Sequence, residues 1–340
     1  MPAVCPDRLR HAETPPTPRG PFRRRRPRTV PTRRSPCLAS TVTNPRRVGA
    51  SPDTFHAACE RPLPHCVRVN TLKATVERAT AALDEAGVGW TAREWNPRLL
   101  ELDTDAPGRT WPYFAGWLHG QEEVSALPAA VLDPQPGERI WDAAAAPGSK
   151  ASQLAALMDD TGRLVANDAS LGRLAALRSN LARLGVTNAA VTNQDARVFS
   201  LKPFDGEPFD RALVDAPCSG EGTVRKNPGA LDDWDEAYLE DAAEVQAGLL
   251  RRAVQATRAG GTVVYATCTF APEENEAVLD RVLAEIDAAL EPFDCPLDAD
   301  PGVTEWRGRT YDDSVRHARR IWPHRNDTGG FFLAKLAVGP

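Results

Sequence analysis

Residues 209–223 read FDRALVDAPCSGEGT. Ala212, Leu213 and Val214 form a short apolar run suited to a buried strand, and Asp215-Ala216-Pro217-Cys218 leaves it with a carboxylate, a rigid proline and a thiol in succession. Ligands of open α/β sheets bind at the carboxyl ends of the strands, so a strand that ends this way marks a site as well as a fold. The pattern recurs downstream: residues 261–266 (GTVVYA) read as a strand, with Thr267-Cys268-Thr269 at its end. Two thiols at the ends of two successive strands are expected to face one pocket.

Upstream, the same alternation predicts a doubly wound α/β sheet. Residues 138–143 (ERIWDA) read as the first strand, and residues 144–150 (AAAPGSK) as a small-residue turn opening a helix over 151–158, with Ala151, Leu154 and Met158 on its apolar positions. Small side chains let a ligand reach the backbone, and the helix N-terminus favours an anionic group. The spacing of Gly148-Ser149-Lys150 excludes a Walker phosphate loop. Strand two spans 163–166 and ends near Asp168, a position that suits a ribose diol as well as a helix cap. Leu174, Leu177, Leu181 and Leu184 then stripe one face of a helix over 171–184 that Gly185 terminates, a core face. Strand three (189–192) ends near Asp195, and strand four is the opening stretch. A helix near 235–258 turns Tyr238, Val245 and Leu249 inward, its acidic start and arginine-bearing end matching the helix dipole. Pro272 opens a last helix carrying Val278, Val282 and Ile286. Asp168, Asp195, Asp215, Cys218 and Cys268 thus line up along one sheet edge, and such a row reads as a site.

Residues 51–118 read as a small α+β module: a strand at 66–69, a helix at 75–86 with Val76, Ala79 and Leu83 inward and Gly87 as its stop, and a polar edge of Arg68, Asn70 and Lys73 able to hold a phosphate backbone. Residues 120–132 (GQEEVSALPAAVL) read as a helix leading through 133–137 (DPQPG) into the first strand of a second domain, 119–340.

The 340 residues leave room for two domains, and 42% hydrophobic with 26% charged residues is an ordinary globular composition. No apolar run reaches the roughly 18 residues of a spanning helix, so no membrane segment is expected. Seven cysteines without a CxxC pair disfavour zinc and a disulfide framework, and fit a reducing cytoplasm. Residues 1–50 hold twelve Arg against Asp7 and Glu13, a balance of +10 that leaves −15 on the remaining chain. This Pro-rich stretch has no apolar periodicity and reads as a disordered tail, with a nucleic-acid-contacting arm, a start codon assigned too early and a targeting peptide lacking an apolar core as the alternatives. The acidic, Lys-poor body, with five Lys in the whole chain, resembles proteins of salt-loving cytoplasms.

The motifs DAAAAPGSKASQLA, NDAS with Arg173, NQDA, DAPCSGEGT and YATCTFAPEENE resemble, in order and spacing, those of the Sun-type RNA (cytosine-5) methyltransferases. RVNTLK, HGQEEVSALPAAVLDPQPGE and WPHRNDTGGFFLAKL extend the likeness over residues 60–337. Two positions depart from the family pattern: Ala144 stands where the first motif often has Cys, and Thr269 where Ser is usual. The resemblance implies a class I methyltransferase domain with a seven-stranded sheet whose last strand, near 331–337, is antiparallel, and S-adenosylmethionine as cofactor. It implies Cys268 as the nucleophile that adds to carbon 6 of cytosine, making carbon 5 able to accept a methyl group, Cys218 as the thiol that assists elimination, and Asp215 as the carboxylate on the base and the methionine end. Lys150 is a candidate cation for the Cys268 thiolate, since a free thiol titrates near ~8.5. By the same resemblance the cofactor lies along Ala144, Ala145, Ala146, Pro147, Gly148, Ser149 and Lys150, with its ribose at Asp168, Arg173 nearby and its adenine near Asp195. The expected partner is RNA, transfer RNA first and ribosomal RNA second, bound by a cytoplasmic monomer that needs no metal. A non-catalytic RNA-binding or ribosome-assembly factor on the same fold is the alternative of a different class, and the intact Asp215, Cys218 and Cys268 stand against it.

Overall fold

Alternating apolar strands separated by amphipathic helices can bury their residues only by stacking helices on both faces of a sheet. The computed structural model describes residues 52–230 and 236–339, all within one compact unit. The expected tail, 1–50, and Asp235 lie outside the described residues.

After a first helix, α1 (Pro52–Glu60), the chain builds a four-stranded antiparallel sheet, order β2-β3-β1-β4, from β1 (Cys66–Val69), β2 (Trp90–Arg93), β3 (Asn96–Leu102) and β4 (Leu118–Gly120). Helix α2 (Val76–Glu85) packs on it through the buried Ala79 and Leu83, and Thr75 caps it by accepting the Arg78 amide. A one-turn helix, α3 (Trp111–Phe114), precedes β4. Residues 120–132 are not one helix. Leu118–Gly120 pairs with Val67–Val69, the Gln121 amide continues that ladder to the Cys66 carbonyl, and helix proper, α4, covers only Leu127–Leu132.

The large sheet begins with β5 (Arg139–Asp142), followed by α5 (Ser149–Leu157), β6 (Arg163–Asn167), α6 (Leu171–Leu184), β7 (Ala189–Thr192) and β8 (Phe209–Asp215). Helix α7 (Glu236–Ala256), β9 (Thr257–Thr267) and α8 (Glu276–Leu283) come next. The leucine stripe of α6 is buried throughout, and Gly185 ends the helix in the left-handed region. Helix α7 stops at Ala256, because Thr257 turns its hydroxyl back to the Ala253 carbonyl and starts the strand; Arg258 therefore belongs to β9. Within α7 it is Leu239 that points inward, while Tyr238 is exposed.

Among the described residues the sheet has nine strands and not seven, in the order β11-β14-β15-β9-β8-β5-β6-β7 with β10 also on β15. Six of the nine are the strands placed from the sequence; the other three are β10 (Ala288–Glu291), β11 (Ala299–Pro301) and β14 (Arg319–Ile321), beside a separate β12 (Glu305–Trp306) and β13 (Arg309–Thr310) hairpin. Strands of two to four residues are too short to show a period in sequence. The last strand, β15 (Phe331–Val338), runs antiparallel to β9 as expected. The chain moves outward from β5 to β7, then returns to the other side of β5 with β8 and β9, and this reversal opens a crevice at the carboxyl ends of the strands. No helix of the described residues is long and apolar enough to cross a membrane.

Candidate active site

Parallel pairing of β8 with β9 sets Asp215 against Ala266, so the two loops that follow leave the sheet side by side. Cys218 Sγ stands 3.3 Å from Cys268 Sγ, and both thiols are free. The loop is held from beneath. Glu274 accepts the Ser219 amide at 2.9 Å, the Ser219 hydroxyl and the Gln246 side-chain amide, while the Ser219 and Thr269 hydroxyls meet at 2.8 Å. The Gly222 amide donates to the Cys268 carbonyl, an approach only glycine permits: a Cβ there would stand 2.3 Å from the Gly330 carbonyl oxygen. The hydrogen bond to Cys268, together with burial, pushes the Cys218 thiol well above its ordinary range, so Cys218 keeps its proton at neutral pH and presents it to Cys268.

Lys150, from the first turn of α5, donates to Asp215 Oδ2 at 2.7 Å and to Ser125 Oγ at 3.1 Å, with its ammonium over the Phe331 ring. Burial disfavours that charge, but Asp215, Asp142 and Cys268 together outweigh burial and hold the Lys150 pKa above its ordinary value. Asp142, the last residue of β5, is fully buried with no partner for either carboxylate oxygen among the described residues. Burial, then the Asp215 charge, raises its carboxyl to about 7.

A cavity of about 480 Å³ runs along this edge. Asp215, Cys218 and Cys268 line one part; Ala144, Asp168, Arg173 and Asp195 line another. Asp168 accepts the Ala146 amide at 3.2 Å and the Ser170 amide at 2.9 Å and pairs with Arg173 at 3.3 Å, so it also fixes the small-residue turn; Ser170, not Asp168, is the N-cap residue of α6. Asp195 is bound by Arg197, whose hydrogen bond lowers its pKa. The rest of the predicted turn, from Ala145 to Lys150, is not among the residues that line this cavity. Ala145 and Ala146 are buried, the Pro147 carbonyl accepts Asn180, Gly148 takes the positive φ that starts α5, and Ser149 Oγ meets His119 Nε2 at 2.8 Å.

The polar edge of the small module is not a phosphate surface. Arg68 is buried on Gln121 Oε1 and Ser152 Oγ, Asn70 donates to the Gly116 and Leu184 carbonyls, and Lys73 donates to the Ala115 and Arg183 carbonyls. These three side chains fasten the module to α5 and α6. Arg225 is likewise buried, on the Arg61, Pro62 and Thr328 carbonyls and on Asp327, whereas Lys226 beside it is exposed. Sequence reasoning missed Gln246; Asp142, Ser125 and Glu274 lie in the quoted DAAAAPGSKASQLA, HGQEEVSALPAAVLDPQPGE and EENE motifs, which included them without giving them a task.

A family model described as 16S rRNA methyltransferase RsmB/F matches residues 129–337. The chain is 39% identical to a tRNA (cytosine(49)-C(5))-methyltransferase of Pyrococcus abyssi over 84% of this chain and 91% of the relative. It is 40% identical to ribosomal RNA small subunit methyltransferase F of Aeromonas salmonicida over 84% of this chain, but spans only 60% of that relative. A crystal structure of a methyltransferase homolog protein from Pyrococcus horikoshii superimposes with a TM-score of 0.74 at 32% identity, over 89% of this chain and 99% of that one.

Proposed function

The chain belongs to the RsmB/F family of RNA (cytosine-5) methyltransferases, and we propose that it methylates carbon 5 of a cytosine in transfer RNA, with Cys268, Cys218 and Asp215 as its catalytic residues. The observation that carries this reading is the pair of thiols 3.3 Å apart, beside a carboxylate bonded to a buried ammonium. Transfer RNA is preferred over ribosomal RNA because the match extends over 91% of the transfer-RNA enzyme and 60% of the ribosomal one.

The cavity fits S-adenosylmethionine. It has room for a ligand of that size, acceptors at Asp168 and Asp195 for a ribose and an adenine, and the thiols at its other part. Ala144 through Lys150, with Asp168, Arg173, Asp195 and Asp215, would hold the cofactor, which supplies the methyl group. Cys268 Sγ adds to carbon 6 of the cytosine, with the Lys150 ammonium, bonded to Asp215, as the candidate cation nearby. Asp215 hydrogen-bonds the edge of the base and assists protonation at ring nitrogen 3. Cys218 faces the sulfur that must depart: its thiol proton passes to the leaving Cys268 sulfur, and the Cys218 thiolate so formed takes the proton from carbon 5, which places it to assist elimination. Phe331, under Lys150, offers a ring to the extruded base.

Residues 51–118 are assigned as the module that positions RNA, residues 119–340 as the catalytic domain, and the whole as a monomer acting in the cytoplasm. Bisulfite sequencing of total RNA from strains with and without the gene tests the reading. One cytosine in transfer RNA is expected to lose its methyl group in the deletion; a loss confined to ribosomal RNA would move the substrate to the second class, and no loss would remove the function.

A further inference from the structure

A second cavity, of about 420 Å³, lies between the small module and the loop that follows Cys218. Its walls come from residues 62–66 before and in β1, from Gln121 and Glu122 after β4, and from Lys226. Hydrogen bonds connect the linings of the two cavities, since Lys150 bonds to Asp215 of the first. Ser125 accepts Lys150 Nζ on the catalytic side, and its carbonyl accepts the side-chain amide of Gln121, which lines the second cavity. On the other flank, the Cys268 carbonyl accepts the Gly222 amide, the Gly222 carbonyl accepts the Gly330 amide, and the neighbouring Gly329 amide donates to Glu122 Oε1 at 2.7 Å. Glu122 is therefore joined to Cys268 by three hydrogen bonds and the Gly329–Gly330 peptide.

Glu122 Oε1 is fixed by that amide, and Oε2 has no hydrogen-bond partner among the described residues. Among the described residues, Glu122 and Lys226 are the charged side chains of this wall without an ion-pair partner, since Arg225 is spent on backbone carbonyls and Asp327. A volume of this size accepts a nucleotide, a carboxylate whose position is set selects an N–H edge, and an exposed lysine at the mouth suits a phosphate.

Resting on the RNA (cytosine-5) methyltransferase reading, we propose that this cavity binds the nucleotide adjacent to the target cytosine and that Glu122 selects guanine there, taking its N1–H and exocyclic amino group on the two carboxylate oxygens. Glu122 is then a specificity residue of the RNA site, supplied by the chain segment that links the module to the catalytic domain.

The test begins with the RNA that loses its methyl group in the deletion strain, transcribed with each of the four bases at the two positions flanking the target cytosine. With full-length wild-type protein, guanine at one flank should give kcat/KM at least about ten-fold above the other bases, as expected for a bidentate base contact. Glu122→Gln should bring the four bases to within about three-fold while calorimetry shows cofactor affinity unchanged. His65→Trp, at the exposed rim and away from Gly329, fills the cavity; it should raise KM for RNA about ten-fold at unchanged melting temperature and cofactor affinity. Equal rates for the four bases with the wild type, a guanine preference retained in Glu122→Gln, or an unchanged KM in His65→Trp would each overturn the proposal and leave the methyltransferase reading intact. A wild-type protein that methylates none of the transcripts would overturn the functional reading itself, and this inference with it.

Discussion

Cys218 and Cys268, fifty positions apart in sequence, meet at 3.3 Å because β8 and β9 are parallel neighbours that end at the same level of the sheet. Their unequal surroundings separate their tasks. Cys218 retains its proton, and Cys268 faces it from a strand end close to Lys150. Cys268→Ala should form no covalent bond to RNA and no 5-methylcytosine, with cofactor affinity near that of the wild type. Cys218→Ala should attack and transfer but stall at elimination, since loss of general acid–base help slows a step by about 10²- to 10⁴-fold. A protein–RNA adduct surviving denaturing electrophoresis is expected for Cys218→Ala alone; an adduct for Cys268→Ala in its place would show the roles reversed.

Lys150 should set the reactivity of Cys268. In Cys218→Ser protein, Cys268 is expected to react with iodoacetamide more slowly after Lys150→Gln than with Lys150 present, at one fixed pH. An unchanged rate would leave Lys150 as a partner of Asp215 only.

Much of this arrangement is legible in the chain, and the reason is local. The strand at 209–215, the leucine stripe of α6 and the Gly185 stop are short-range patterns, and each appears where its period places it. So does the convergence of Asp168, Asp195, Asp215, Cys218 and Cys268 on one cavity, because a parallel sheet aligns all its strand ends. What could not be read is long-range. Arg68, Asn70 and Lys73 look like a basic edge until their partners on α5 and α6 are known, and those lie 84 to 114 positions away for the bonds to Ser152, Leu184 and Arg183. Asp142 reads as one polar residue ending a strand, and only the packed sheet reveals that its carboxyl is sealed off from water.

Asp168 should matter to the cofactor in two ways, through its own acceptor oxygens and through the turn it fixes at Ala146. Asp168→Ala is expected to weaken S-adenosylmethionine binding by about 1 to 3 kcal/mol, the usual cost of leaving hydrogen-bond partners unmatched in a buried site. Calorimetry on the protein without RNA reads this directly, and an unchanged affinity would place the ribose elsewhere.

Two buried groups should give the stability of this protein opposing pH dependences over one range. His119 accepts Arg183 at Nδ1, so its proton sits on Nε2 and is donated to Ser149; burial first, then the Arg68 and Arg183 charges, lower its pKa from 6.5 to about 3. Unfolding lets this imidazole bind a proton that the folded protein refuses, so the contribution of His119 is whole above pH 6.5 and is lost as pH falls towards 3. Asp142 has the reverse sign. Its pKa rises from 3.8 to about 7, the folded protein holds the proton more tightly, and stability is lost as pH rises from about 4 to about 7. Each group alone gives a slope of about 1.4 kcal/mol per pH unit between its two pKa values, so the two largely cancel from pH 4 to 6.5. Denaturant unfolding of the cofactor-free protein across this range should therefore show His119→Gln gaining on the wild type as pH falls, and Asp142→Asn gaining on it as pH rises. Subtracting each variant from the wild type removes every other titration, and two parallel curves would mean that neither group is held in the charge state its burial demands.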